Sequence, residues 1–161
     1  MRAMPLPIIA PPRFETLHAM SLVGLVERYD GGSPRSIPDQ WLRFGPLISR
    51  IAGRIGMTTY GVSFNFDRTS NFDYMSGVEV GGSHPPPSGM RSLELPQRKY
   101  AVFRHPGHIA GVRATFAAIL GDWFPRSGYR AVDAPNFERY GTEFDPGTGR
   151  GGFEIWIPVD R

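Results

Sequence analysis

The chain has 161 residues, including 20 Gly, 16 Pro and no Cys, with 40% apolar and 12% aromatic residues. So much Gly and Pro excludes a long-helix or coiled-coil protein, the apolar share excludes global disorder, and the missing Cys excludes a disulfide framework, a thiol nucleophile and a zinc–thiolate site. The net charge of +3 comes from 18 basic residues, all arginine except Lys99, with no run longer than Arg98 and Lys99; direct DNA or RNA binding, which concentrates charge on one element, is therefore not expected. No apolar stretch is long enough to cross a bilayer, and the N-terminal MRAMPLPIIAPP lacks a signal h-region. A cytoplasmic protein without membrane association is expected.

In chain order, Arg13 to Tyr29 reads as strand, with Gly24 as a bulge, and ends at the turn Asp30 to Pro34. Ser36 caps a helix whose apolar positions Ile37, Trp41, Phe44, Ile48, Ile51 and Ile55 recur every three or four residues, with a kink at Gly45 and Pro46. Two strands follow, Thr58 to Asn65 and Asp73 to Val80, and then a Gly- and Pro-rich loop from Gly81 to Met90. Arg98 to His105 is a further strand. Ile109, Val112, Phe116, Ile119, Leu120 and Trp123 mark a second amphipathic helix, stopped by Pro125. Strands at Asn136 to Gly141 and Gly152 to Val159 close the chain, joined by the hairpin loop FDPGTGR.

Strand, helix, strand, strand thus occurs twice. The pattern predicts an α+β fold: one domain over residues 1–161, made of half-repeats at about 13–81 and 90–161. Each half is a β-α-β-β unit, and the two share one antiparallel sheet whose two helices flank a central groove. A groove on such a pseudo-twofold axis is a natural ligand site.

The last two strands carry the most chemistry. Alternation puts Glu138 and Tyr140 on one face of the first, and Glu154 and Trp156 on one face of the second. If the two faces coincide, two acids and two aromatic rings line one surface, a combination suited to a cationic or amphipathic ligand. The same glutamates also fit a solvated sheet face, paired with arginines such as Arg139 or Arg130. His18, His84, His105 and His108 lack metal-ligand spacing, so no metal site and no cofactor are expected. No serine lies in a nucleophile-elbow context. Trp41 and Trp123 are read as core, and Pro85 to Pro87 as a stiff connector between the halves.

Several stretches, in order over nearly the whole chain, resemble the GyrI-like small-molecule-binding domain, also found as the effector-binding domain of AraC- and MerR-type multidrug-responsive activators. They are IPDQWLRF from Ile37, Tyr60 with Gly61, DYMSGVEV from Asp73, Gly89 with Met90 before LELP, YAVFRHPG from Tyr100, WFPRSG from Trp123, FERY from Phe137, and the terminal EIWIPV. The resemblance implies a duplicated β-α-β-β fold whose groove binds bulky aromatic or cationic compounds. It carries a ligand-contacting buried glutamate onto Glu138, the last strand's acid and aromatic onto Glu154 and Trp156, and two further contacts onto Met75 and Phe116. The segment before Arg13 is too short for a helix-turn-helix or winged-helix reader, so a stand-alone effector domain is expected. Relatives of that kind imply three roles: drug binding, inhibition of a protein partner such as gyrase or action through a separate regulator, and hydrolysis of cyclopropanoid toxins. In the hydrolase reading Glu138 is the general base and Tyr140 orients water or substrate.

Overall fold

The structure, a computed structural model, describes residues 7–30 and 36–161. The turn read at Gly31 to Pro34 lies outside them. Along the chain come β1 (Arg13–Leu17), β2 (Met20–Tyr29), α1 (Ile37–Phe44), β3 (Arg54–Phe64), β4 (Phe72–Val80), β5 (Arg91–Leu95) and β6 (Arg98–His105). These are followed by α2 (Val112–Ala118), α3 (Phe124–Ser127), β7 (Arg130–Ala131), β8 (Asn136–Tyr140) and β9 (Phe153–Asp160).

The strands form one antiparallel sheet in the order β1-β6-β9-β8-β3-β4-β2-β5, with β7 attached to the end of β9. This order is symmetric about the β8–β3 pair. Exchanging β8 with β3, β9 with β4, β6 with β2 and β1 with β5 leaves it unchanged, as a duplicated β-α-β-β unit requires. The outermost strands are exchanged between the halves: β1 precedes β2 in sequence but pairs with β6, and β5 precedes β6 but pairs with β2.

That exchange forces the sheet to curl. β1 and β2 stand six steps apart in the strand order, about 29 Å in a flat sheet. Only His18 and Ala19 connect them, a link that spans roughly 11 Å. Pro96 and Gln97 impose the same closure between β5 and β6. The inner face of the curl is filled by Met20, Leu22, Tyr60, Val62, Phe64, Met75, Leu95, Tyr100, Val102, Phe137 and Trp156.

Both helical segments pack on the outer face. One cluster there holds Phe103, Ile119, Tyr140, Phe153, Ile155 and Ile157, and another holds Val23, Phe44, Ile51, Val78 and Met90. Trp41 of α1 packs against both. Gln40, fully buried, ties α1 to the sheet: its amide donates to the carbonyls of Leu25 and Tyr74 at 3.0 Å each, and its oxygen accepts from the Tyr29 hydroxyl at 2.6 Å.

Several local expectations need correction. Arg13 to Tyr29 is two strands, broken at His18 because its two ends join opposite sides of the sheet. Gly24 is no bulge. It pairs in register with Gly77, and a Cβ there would lie 1.8 Å from the carbonyl oxygen of Ser76, so glycine is needed for close strand approach. The register shift lies instead in β3, between Arg54 and Thr59. The first helix does not reach Ile55. After α1 the chain tightens into a 3-10 turn, Gly45–Arg50, and becomes extended at Ile51, while Ile55 belongs to β3. Ser36 stands at the N-cap of α1 but makes no side-chain cap bond. Pro125 does not end the second helical run. It occupies the first turn of α3, where its missing N–H costs nothing, and the run stops at Gly128 with φ +78°. The segments β5 and β7 were not read as strands, being short and rich in polar residues.

Candidate functional site

The middle of the sheet brings one acid beneath the helical layer. Glu138 on β8 is the cross-strand partner of Gly61 on β3, which in turn faces Ser76 on β4. Partners across a ladder share a face, and here it is the helix-bearing face. Glu138 is half-buried. Tyr140, two residues on and therefore on the same face, donates its hydroxyl proton to Glu138 Oε1 at 3.1 Å. Tyr74 is only 2% exposed and accepts from Trp41 Nε1 at 3.0 Å. The Tyr74 and Tyr140 hydroxyls lie within electrostatic reach of each other. Hydrogen bonds thus run from Trp41 to Tyr74 and from Tyr140 to the carboxylate, and the three aromatic residues stand together beside Glu138. The Trp41 ring also meets Tyr140 edge to face, with centroids 5.6 Å apart.

Gly61 makes this arrangement fit. A Cβ at that position would lie 2.1 Å from Tyr74 Oη and 3.4 Å from the Trp41 ring. The Tyr74 hydroxyl therefore occupies the space beside Glu138 that any other residue would fill.

Among the described residues no arginine, lysine or histidine forms an ion pair with Glu138, although the chain is rich in arginine. Burial pushes its carboxyl up from an ordinary value of 4.5 to about 7, against the lowering effect of the Tyr140 hydrogen bond. Burial and the neighbouring Glu138 charge also raise the Tyr140 and Tyr74 hydroxyls well above their usual range.

Glu154 and Trp156 do not join this site. Glu154 pairs across the ladder with Arg139 and Trp156 with Phe137, which places both on the inner face, whereas Glu138 pairs with Ile155 on the outer one. The two strands are out of phase by one residue, so the faces that alternation defines do not coincide. Glu154 accepts ion pairs from Arg13 at 2.7 Å and Arg139 at 3.7 Å; burial pushes its carboxyl up, but the hydrogen bonds from Arg13 and Trp156 and the two arginine charges together outweigh it and hold the carboxyl below its ordinary value. For this glutamate the arginine-paired reading is the correct one.

The GyrI-like small-molecule-binding domain matches residues 10–160. The chain belongs to this family. A curated relative, the transcriptional regulator BrlR of Pseudomonas aeruginosa, is 31% identical over 147 residues, covering 88% of this chain and 52% of BrlR. The chain thus spans about half the length of that regulator. Solved structures share the fold at lower identity. SAV2435, bound to tetraphenylphosphonium, superposes with a TM-score of 0.71 at 20% identity, covering 94% of each chain. A hydrolase encoded by lin2189 of Listeria innocua gives 0.58 at 11% identity, again covering 94% of each.

In this GyrI-like domain Phe116, half-buried on α2, packs into the outer-face cluster that includes Tyr140. Met75 is fully buried on the inner face, with the sheet between it and Glu138. Sequence reasoning passed over three residues that surround Glu138: Trp41, read only as core, Tyr74 and Gly61. A glycine amid the β-branched and aromatic residues of TTYGVSF was the available signal, since such a glycine marks close approach by another group. Tyr74 carried none, because its place beside Glu138 depends on β3 lying between β4 and β8. No helix of the described residues is long and apolar enough to cross a membrane.

Proposed function

We propose that this domain captures bulky aromatic cations on the outer face of the sheet, between its two helical segments, with Glu138 as counter-ion. The observation that carries the reading is a half-buried carboxylate that has aromatic neighbours and no cationic partner among the described residues. Holding such a charge away from water costs free energy in the free protein, and a bound cation offsets that cost. Trp41, Tyr74 and Tyr140 supply ring surface that attracts a cation without donating a competing positive charge. Phe116 provides apolar contact from the facing helix. The tetraphenylphosphonium bound by SAV2435, which shares the fold, is a compound of this chemical class. Ligand capture of this kind needs no DNA-binding segment. Titration with tetraphenylphosphonium, followed by tryptophan fluorescence, tests the proposal: Glu138→Gln should weaken binding roughly tenfold or more. An unchanged affinity would remove Glu138 from the ligand site.

A second reading, hydrolysis of electrophilic cyclopropanoid compounds, is favoured by one feature of the same site. A carboxyl titrating near 7 and bonded to a tyrosine hydroxyl suits a general base. Mass spectrometry of such compounds after incubation with the protein tests it. Turnover retained in Glu138→Gln would exclude that carboxylate as the base.

A further inference from the structure

The inner face of the curl carries a cavity of about 330 Å³, separated from Glu138 by the thickness of the sheet. Its volume is that of a site for a small organic molecule. Tyr60 and Trp156 supply aromatic surface, and Leu17 and Met20 aliphatic surface. The charges around it do not balance. Arg13 pairs with Glu15 and with Glu154, each at 2.7 Å, and Arg139 pairs with Glu154 at 3.7 Å, so two arginines and two glutamates satisfy one another. Glu79 on β4 is left over. It lines the cavity and is half-buried, and among the described residues its carboxylate has neither a hydrogen bond nor an ion pair.

The sheet itself sets Glu79 apart. On β2 its partner is the apolar Leu22, and on β3 it has none, because that ladder is interrupted between the pairs Arg54 with Val80 and Thr59 with Val78. Irregularities of this kind gather beside binding sites, where they re-aim side chains and leave room next to the sheet. Tyr60 is the cross-strand partner of Gly77, which lies on the same face as Glu79 and adds no side chain of its own. Glu79 is within electrostatic reach of the Tyr60 hydroxyl. An aromatic wall therefore stands beside an uncompensated carboxylate, the combination that attracts an organic cation. A primary ammonium also brings three donors to the carboxylate oxygens, which a phosphonium cannot do. We infer that this cavity is a second small-molecule site, one that takes compact primary ammonium compounds with an aromatic body and is distinct from the Glu138 site.

Calorimetric titration with phenethylamine, 2-phenylethanol and hydrocinnamate tests the inference, since the three share one aromatic body and end in an ammonium, a hydroxyl and a carboxylate respectively. At about pH 8 an ordinary imidazole is uncharged and a primary amine is still protonated, so the comparison reads the carboxylate. Phenethylamine should bind most tightly, with 2-phenylethanol roughly tenfold weaker and hydrocinnamate weaker still. In Glu79→Gln the advantage of phenethylamine over 2-phenylethanol should vanish, while 2-phenylethanol itself binds as before. Glu79 is partly exposed, and thermal unfolding of the variant verifies that the fold is retained. A second variant leaves Glu79 in place: Ala19→Trp, at an exposed position lining the cavity, should fill it and weaken phenethylamine roughly tenfold or more. Glu138→Gln, which tests the outer-face reading, should leave phenethylamine affinity unchanged. The inference is overturned if phenethylamine fails to bind at millimolar concentration, if its advantage persists in Glu79→Gln, if Ala19→Trp binds it as well as the wild type does, or if Glu138→Gln abolishes its binding. Failure of tetraphenylphosphonium to bind would overturn the outer-face proposal alone.

Discussion

Glu138 and Glu154 stand on adjacent strands with their carboxylates on opposite faces of the sheet, one without a cationic partner and the other held by two arginines. They share no hydrogen-bonding partner, so their substitutions should act independently. Glu138→Gln and Glu154→Gln, combined, are expected to change unfolding free energy by the sum of the single effects within about 0.5 kcal/mol. Urea denaturation of the four proteins checks this, and a larger coupling would show that the faces communicate.

Binding of a permanent cation on the outer face should strengthen as pH rises through about 7, where Glu138 ionises. Below that point affinity should fall by close to tenfold per pH unit, because the carboxyl must lose its proton to act as counter-ion. Tetraphenylphosphonium carries no titratable group, so its affinity between pH 5.5 and 8.5 reports the carboxyl alone. A flat profile in the wild type would contradict the counter-ion role.

The raised carboxyl also has a cost in stability. Glu138 holds its proton more tightly when folded than unfolded, so its contribution is most favourable below the ordinary carboxylate value of 4.5 and is lost as pH rises to about 7. The full loss corresponds to about 3 kcal/mol. Glu138→Gln keeps the shape and removes the charge, and should therefore stabilise the ligand-free protein at pH 8 by up to about 3 kcal/mol, with little effect at pH 4. Thermal unfolding at both pH values gives the comparison. A variant equally destabilised at both would mean that the carboxylate is paired in solution.

Gly61→Ala should disturb the site without touching any charge. The new methyl group would lie 2.1 Å from Tyr74 Oη, and Tyr74 is too deeply buried to swing aside freely. A loss of about 1–3 kcal/mol is expected, together with weaker tetraphenylphosphonium binding, since the bond from Trp41 to Tyr74 would break. Denaturant titration and fluorescence titration measure the two effects separately. Unchanged affinity in a destabilised variant would show that the Trp41–Tyr74 bond is structural only.

The architecture was legible because it is written in local periodicity. The two amphipathic rows, the long strands and the doubled order of elements all appear as runs of residues, and β6 was placed to the residue. What failed was whatever depends on a partner distant in sequence. The break at His18 follows from the curl, and the phase between β8 and β9 follows from the FDPGTGR hairpin. Alternation within a strand says which residues share a face but not which face. Glu138 and Tyr140 were therefore correctly grouped with each other and incorrectly grouped with Glu154 and Trp156. Trp41 passed for core because a ring that covers a carboxylate has the same helical spacing as one that fills a hydrophobic interior.

The crossing of β1 and β5 into opposite halves makes this molecule a handshake. Cutting the connection between Gly81 and Met90 would yield two fragments, each holding an outer strand that completes the other's sheet. Neither could bury its own share of the inner cluster, since Met20, Leu22 and Tyr60 come from one fragment and Tyr100, Phe137 and Trp156 from the other. Mixed together, the fragments would have cause to reassemble, and the curl that encloses the inner cavity would exist only in the pair.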